Sequence, residues 1–482
     1  MQTNDSFIKQ VFHLATGSIV NLIIGVLTTP IITRLVDPVE YGQLNLFNTY
    51  SSIALMVFTI GLDQTFVRYY YVEKEKPYQK KLLDFCLGLP IVIAVLGSVA
   101  IFLLNAVKPE LLGFDSIIIW CFIANIFILI MNRYGMLVLR LQYKTVMYSA
   151  MNILQKVLFV GIVISFVFLL KRNYFYILVI ATLISVLITT FVSIVSEKHF
   201  WFERIRKFEL PISKKELLKF GLPLMVSSGI FILFQATDRL CIKHFGTYSD
   251  VGVYSSAQSL MSVFAVIQIT FNTLWAPKAI EHYEKNPNDK SYYVRMNQII
   301  TVVMFLFGAF VLVGKDLFVL LLGEKYREAS SIIPYLMFNP MMYTISETTV
   351  TGLAITKHTT SQVIITGLSA AANLIGNIIL IPVLGSKGAA VSTGLSYILF
   401  FTLRTLFSNH FFPIDFKIKK FYLMTVVFAL GSWYHMYHSF DSIVVAIFFV
   451  TVGLICILYK DTIKDIIEIC KVQFAKNKNK TL

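Results

Sequence analysis

The stretch Ser196–Lys219, SEKHFWFERIRKFELPISKKELLK, is the longest run of the chain without a hydrophobic block, and it lies close to the middle. It sets seven cations (Lys198, Arg204, Arg206, Lys207, Lys214, Lys215, Lys219) against four acids (Glu197, Glu203, Glu209, Glu216). Apolar blocks long enough to cross a bilayer flank it on both sides. Positive charge resists translocation, so a cationic loop between membrane helices is retained in the cytoplasm. This stretch therefore orients the helices beside it and divides the chain into two halves.

Composition agrees. Of 482 residues, 56% are hydrophobic and 14% charged, and mean hydropathy is +0.72. Soluble domains carry about 25% charged residues, so a globular soluble enzyme is excluded. The net charge of +15 would suit a nucleic-acid binder. The cations, however, gather in short loops and in the tail, where membrane topology puts them, so no nucleic-acid partner is expected. The five cysteines (Cys86, Cys121, Cys241, Cys456, Cys470) are scattered, without metal or redox spacing, and packing accounts for them. The N-terminus MQTNDSFIKQVFHLATGS lacks a basic leader and a small-residue cleavage site, so the first apolar block reads as a retained helix.

Blocks of about 20 apolar residues span the hydrocarbon core as helices, because backbone groups must pair internally there. Fourteen are expected, at 11–33, 43–63, 82–105, 116–138, 146–170, 174–195, 220–243, 252–273, 296–314, 331–354, 361–383, 388–408, 420–438 and 441–459. With both termini in the cytoplasm, the inner segments hold 26 Lys or Arg and the outer loops nine. That asymmetry supports the count and the orientation. No outer loop is long enough for a catalytic domain. Aromatic runs such as Tyr69-Tyr70-Tyr71 and Trp433-Tyr434 fall at the expected interfaces. The segment from Lys460 alternates Ile with charge up to Lys471, which suggests an amphipathic helix on the inner leaflet followed by a disordered basic end.

The halves also resemble each other. Glu40-Tyr41-Gly42 matches Asp250-Val251-Gly252 at an offset of 210, which also pairs Leu111-Leu112-Gly113 with Leu321-Leu322-Gly323, Arg68 with Lys278, and Asn48 with Gln258. Further on the offset drifts to 213, pairing Lys144 with Lys357. Six helices per half give both halves one orientation, a parallel repeat. The expected architecture is all-α: an N-lobe over 1–209, a C-lobe over 210–410, and a helix hairpin with a basic cytoplasmic tail over 411–482.

Several motifs carry a resemblance. Arg34-Leu35-Val36-Asp37-Pro38-Val39-Glu40-Tyr41-Gly42 resembles the loop after the first helix in Wzx-type oligosaccharide flippases of the multidrug/oligosaccharidyl-lipid/polysaccharide exporter superfamily. Asp238-Arg239, Val251-Gly252-Val253-Tyr254-Ser255, Ala276-Pro277 and Gly385-Ser386-Lys387-Gly388-Ala389-Ala390 fit in the same order. The resemblance covers roughly residues 7 to 410 and implies alternating access in the bacterial cytoplasmic membrane. It implies undecaprenyl-pyrophosphate-linked oligosaccharide as cargo, with membrane lipids and the polymerase and assembly proteins of polysaccharide synthesis as partners. Lipid II flippases share the architecture but bring several arginines into the cavity from the first two helices. Here the first helix has Lys9, His13 and Arg34 only, which argues against lipid II as substrate.

A charge inside the bilayer costs a few kcal/mol, so it normally faces a cavity or a partner. The candidates are Arg133, Lys156, Asp238, Arg239, Glu347 and Arg404, with Asp63, Arg68, Arg140 and Lys278 near helix ends. Cations suit a pyrophosphate head group. Arg133, Arg239, Arg68 and Lys278 are therefore candidate cavity residues together with Asp238, and Asn48 and Gln258 suit sugar hydroxyls. Glu347, after Asn339-Pro340, and Asp238 are candidates for ion coupling. Each has a structural alternative: an internal ion pair, snorkelling to the interface, or helix-to-helix hydrogen bonding. No phosphate-cradling Gly-Lys-Ser/Thr motif and no His-Glu-x-x-His run occurs, so no cofactor or metal is expected. A multidrug or cation antiporter of the same fold is the first rival, disfavoured because the intramembrane set leans cationic. A membrane glycosyltransferase or polymerase is the second, disfavoured by the short outer loops.

Overall fold

The computed structural model describes residues 25, 27–108, 113–170, 174–203 and 208–478, apart from the side chains at 170, 359, 469–470 and 472–478. Lys9, His13, Leu111-Leu112, Lys171, Arg172, Arg204, Arg206, Lys207 and most of the expected first helix lie outside these residues. Among the described residues the secondary structure is helical, without strands. Nine helices among the described residues are long and apolar enough to cross a membrane, or eleven if two sharply bent pairs each count as one span. The protein is a multi-pass membrane protein. Its chain forms two compact units, Met1–Arg239 and Leu240–Leu482.

In the first unit a helical stretch at 27–35 is followed by α1 (Pro38–Thr59), α2 (Leu62–Tyr69), α3 (Lys76–Val107), α4 (Ser116–Leu141), α5 (Thr145–Leu170), α6 (Tyr174–Ser196), the single turn α7 (Lys198–Trp201) and α8 (Lys214–Phe245), whose last residues belong to the second unit. Pro38 opens α1 in the first turn, where its missing N–H costs nothing and its φ suits the helix. The expected span 43–63 is broken. Ile60 and Gly61 both turn left-handed, at φ 43° and 73°, and α2 leaves α1 at 57°. The reason lies opposite the break. A Cβ on Gly61 would stand 2.1 Å from the Gly221 carbonyl oxygen, so the corner is glycine because α8 passes it backbone to backbone. Thr65 Oγ1 donates to the Leu217 carbonyl at 3.3 Å across the same approach.

The second unit runs α9 (Tyr248–Met261), α10 (Ala265–Lys285), α11 (Ser291–Val319), three short helices α12 (Ile333–Leu336), α13 (Phe338–Thr349) and α14 (Thr351–Ile355), then α15 (Thr359–Leu384), α16 (Ser386–Phe411), α17 (Ile418–Tyr437), α18 (Ser442–Leu458) and α19 (Lys460–Lys478). A capping box opens α9: Thr247 Oγ1 accepts from Asp250 N at 3.2 Å and Asp250 Oδ2 from Thr247 N at 2.8 Å. The expected span 331–354 is the one in three pieces. Pro340 has no N–H and its ring crowds the carbonyl four residues back, at Leu336, where α12 stops. The tail helix α19 turns 82° from α18, and Arg295 and Gln298 of α11 hold it through Asp465 and Thr462. An apolar helix of one bundle followed by a sharply turned, charged one is the arrangement expected at a membrane surface.

The helix positions carry the internal repeat. α1 opens at Pro38 and α9 at Tyr248, an offset of 210; α5 opens at Thr145 and α15 at Thr359, an offset of 214. Inside each unit, side-chain hydrogen bonds join neighbouring helices where hydrocarbon offers no alternative partner. Asn125 donates to Ser51 Oγ at 3.0 Å and Asn132 to Thr190 Oγ1 at 3.0 Å in the first unit. Asn297 donates to Thr348 Oγ1 at 2.8 Å and Asn373 to Thr393 Oγ1 at 3.2 Å in the second.

Candidate functional site

The break between α1 and α2 opens a cavity of about 340 Å³ inside the first unit. Four elements build it. The face of α1 contributes Ser52, Leu55, Met56 and Thr59; the corner and α2 contribute Gly61, Asp63 and Gln64; α4 contributes Arg133; α8 contributes Leu224, Met225, Ser228 and Ile232. The spacing 52, 55, 56, 59 is one stripe of a helix. Asn48 is exposed, lies one turn before Ser52 on that stripe, and accepts the Ser52 hydroxyl at its carbonyl, 2.8 Å away. Arg68, also exposed, lies one turn beyond Gln64 on α2, 6.0 Å from the centroid of the Tyr69 ring.

At the polar end of the cavity Asp63 faces Arg133. The guanidinium donates from Nε at 3.0 Å and from Nη2 at 2.7 Å, both to Asp63 Oδ2, and Gln64 Nε2 donates to the same oxygen at 3.1 Å. The carboxylate side chain is 12% exposed and the guanidinium side chain 42%. Arg133 therefore neutralises a buried acid with two of its nitrogens. Its Nη1 has no partner among the described residues, and the group is open to the cavity. A planar cation held by one edge and open on the other is suited to an oxyanion with two acceptors. The methionines Met56 and Met225 add soft apolar surface to the same lining.

The remaining sequence candidates fall elsewhere. On α8, Asp238 is buried at 3% exposure while Arg239 is half-buried and reaches Thr49 Oγ1 of α1 at 3.4 Å. These neighbours point to different surroundings, as residues about 100° apart on a helix must. Lys156 on α5 is half-buried, its ammonium filling the space that a Cβ at Gly25 would need. In the second unit Lys278 is exposed on α10 and Gln258 half-buried on α9.

Glu347 is a paired acid. Arg404 Nη1 donates to Glu347 Oε1 at 2.8 Å and to Ser346 Oγ at 2.6 Å, and the two charged side chains are 9% and 8% exposed. The guanidinium carbon sits 5.0 Å from the Tyr343 ring centre and 4.9 Å from that of Phe400, a cation beside two rings that stack on each other with centres 5.6 Å apart. This pair locks α13 to α16. Of these two pairs, Asp63–Arg133 lines a cavity, whereas the side chains of Glu347 and Arg404 are both under 10% exposed.

Sequence reasoning placed Asp63 and Arg133 in the candidate set separately and did not join them. It missed Ser52, Gln64 and Ser228 altogether. The signal available for Gln64 was its place between Asp63 and Arg68 on one short helix. No group of His, Cys, Asp and Glu among the described residues is arranged to hold a metal ion.

Known proteins resemble the chain at three levels. A model of a family described as polysaccharide biosynthesis protein matches residues 7–277. An uncharacterized membrane protein of Methanocaldococcus jannaschii is 23% identical over 259 residues, 51% of this chain and 50% of that protein, so the match spans about half the length of that relative. Among solved structures, the lipid II flippase MurJ in an inward closed conformation aligns with a TM-score of 0.67 over 94% of this chain and 99% of its own, at 15% identity. An inward-facing multidrug resistance transporter of the MATE family aligns with a TM-score of 0.57 over 81% of this chain and 94% of its own, also at 15% identity. The two structural likenesses establish a common fold.

Proposed function

The chain belongs to the polysaccharide biosynthesis protein family, and from that premise we propose that it is a flippase for undecaprenyl-pyrophosphate-linked oligosaccharide units, working by alternating access in the bacterial cytoplasmic membrane for surface polysaccharide synthesis. The observation that carries this reading is the Arg133 guanidinium, fixed by Asp63 and open to a cavity. It offers directed positive charge to a pyrophosphate, while the Ser52, Gln64 and Ser228 groups and the neighbouring Asn48 suit sugar hydroxyls. Arg68 continues the cationic face along α2, and the positive-inside count puts that end of α2 at the cytoplasm, where a head group would enter. Fourteen spans with both termini inside follow from the same count, and the lobes 1–209 and 210–410 are the moving bodies.

Asp238 and Arg239 in the first unit, and Gln258 and Lys278 in the second, are further proposed cargo contacts, each within its own unit. Ion coupling falls to Asp238 or Glu347, and for Glu347 it requires release from Arg404. The cargo is lipid-borne, so its tail remains in the bilayer while charge and sugars pass through protein. Membrane lipids and the polymerase and assembly proteins of polysaccharide synthesis are the expected partners.

A multidrug or cation antiporter is the second reading, favoured by the buried acid Asp63 on a cavity wall. That acid already takes three N–H groups on one oxygen, which leaves the site without the surplus negative charge that a cationic drug needs. The test is translocation in proteoliposomes, reading the lectin accessibility of lipid-pyrophosphate oligosaccharide for wild type and Arg133→Gln. Translocation by wild type and its loss in the variant support the reading. Equal translocation by both removes Arg133 from the site and keeps the flippase. Efflux of a cationic dye without glycan translocation replaces the flippase by the antiporter.

A further inference from the structure

The second unit has a cavity of its own, about 530 Å³, within the roughly 300–1,000 Å³ of small-ligand sites. Its floor is the end of α11, its walls are the segment Arg327–Ser331 and the start of α16, and its rim is the chain leaving α17 at Tyr437–Phe440. The proposed flippase reading uses none of it.

The floor is a closed ionic network. Lys315, 2% exposed, donates to Asp316 Oδ1 at 3.1 Å and to Ser330 Oγ at 3.0 Å. Ser330 donates to Asp316 Oδ1 in turn, and the Phe440 N–H reaches Asp316 Oδ2 at 2.8 Å. This network joins three segments distant in sequence and holds the rim in place. It also neutralises the charge of Asp316 within the floor. Above it stand two further cations. Arg327 gives one N–H from Nη1 to the Val319 carbonyl at 2.8 Å, and Lys387 Nζ lies 5.2 Å from the centre of the Tyr437 ring. Among the described residues neither has a carboxylate within ion-pair distance, and Glu328 is the single acid of the lining not taken up by the floor. Two open cations thus face one open acid.

The rest of the lining suits a hydroxyl-rich ring. The Tyr437 ring is 50% exposed beside Lys387, a flat apolar face next to a cation. Ser331, His438 and Ser439 add hydrogen-bonding groups. Directly before the lining pair Met436–Tyr437, His435 is 1% exposed, and neither of its ring nitrogens has a hydrogen-bond partner among the described residues. A buried imidazole with two unmet nitrogens marks this end of α17 as polar ground that the protein itself does not satisfy.

We infer that this cavity is a second binding site, for an acidic sugar whose carboxylate is held by Arg327 and Lys387 and whose ring rests on Tyr437. The positive-inside count puts this end of α11, α16 and α17 outside the cell, so the site would hold the glycan after delivery; that sidedness rests on the orientation proposed above. Acidic sugars would then be retained longest, which makes the site a determinant of glycan specificity separate from the head-group cavity.

The test uses the full-length protein in phosphatidylcholine nanodiscs and calorimetric titration. The probes are a glucuronate-containing tetrasaccharide, the same tetrasaccharide with its carboxyl reduced to an alcohol, and short-chain phosphatidylglycerol. The expected result is binding of the acidic probe, with the reduced probe and the Arg327→Gln/Lys387→Gln variant each at least about tenfold weaker. Both substituted side chains lie outside the buried floor, so the melting temperature of the variant should match wild type and show that folding is intact. Equal binding of the two sugars, no binding of either, unchanged affinity in the folded variant, or binding of phosphatidylglycerol alone each overturns the inference. Titration does not require transport, so absent sugar binding with translocation intact overturns this site and leaves the flippase standing.

Discussion

Removing Arg133 should destabilise the protein more than removing Asp63, although the two make one ion pair. Asp63 is the buried partner, with 12% of its side chain exposed against 42% for Arg133. Arg133→Gln strands a carboxylate that loses both of its charge-assisted bonds and keeps only Gln64 Nε2. Breaking a fully buried pair in this way costs about 3–5 kcal/mol, and the partial opening of the cavity reduces that to about 2–4 kcal/mol. Asp63→Asn strands a guanidinium that water already reaches, which is the regime of about 1 kcal/mol or less for exposed pairs. The double variant leaves no charge unpaired and should be more stable than Arg133→Gln alone, with a coupling of about 1–2 kcal/mol. Equilibrium unfolding of the purified protein in mild detergent measures all four proteins. Translocation separates the two roles of Arg133. If it only neutralises Asp63, the double variant regains transport with its stability; if it also holds the pyrophosphate, the double variant is stable and inactive, which is the expected result. An Asp63→Asn loss larger than that of Arg133→Gln, or simple additivity of the two, refutes the reasoning from exposure.

Gly61→Ala places a Cβ 2.1 Å from the Gly221 carbonyl oxygen at φ 73°, so it should lower stability by at least about 1–3 kcal/mol. Gly88→Ala, where nothing lies within 4 Å, should gain about 0.5–1 kcal/mol from helix propensity; thermal unfolding of the pair checks the contrast. Glu347→Gln should cost about 3–5 kcal/mol in unfolding experiments, because Arg404 is left buried beside Tyr343 and Phe400 without its carboxylate. Thr247→Ala should cost about 1 kcal/mol through the lost cap of α9, measurable as protection from amide exchange in the first turn.

The helices were legible because hydrocarbon imposes one rule on every segment. A block that must pair its own backbone is a helix, and the expected segments from 82–105 to 441–459 each coincide with a helix or a broken one. The breaks were less visible. Asn339-Pro340 announces its kink through a missing N–H. Ile60-Gly61 does not, because Gly61 is required by the passage of Gly221, which lies 160 residues on, and no local pattern reports a neighbour that distant. The repeat was readable for a related reason. A helix start such as Asp37-Pro38 or Thr247 through Asp250 is written in cap residues, and caps keep their spacing when the apolar residues between them exchange freely.

The candidate site was legible only as a set of costly residues. A charge in an apolar block identifies itself, since something must offset its desolvation, so Asp63, Arg133, Glu347 and Arg404 all stood out. What compensates each one is a matter of three-dimensional pairing. Both acids turned out to be bonded to arginines, Asp63 to Arg133 over 70 residues and Glu347 to Arg404 over 57. The difference between them is room. The Arg404 side chain is 8% exposed, packed beside the stacked Tyr343 and Phe400 rings, while the corner at Gly61 leaves space beside Arg133. A substrate can use charge only where packing has left it accessible, so the backbone corner is what makes the Asp63–Arg133 pair a candidate binding site and the Glu347–Arg404 pair a brace. Filling that corner without touching either charge, as Met225→Phe on the cavity wall would, should therefore lower transport while the ion pair and its stability remain.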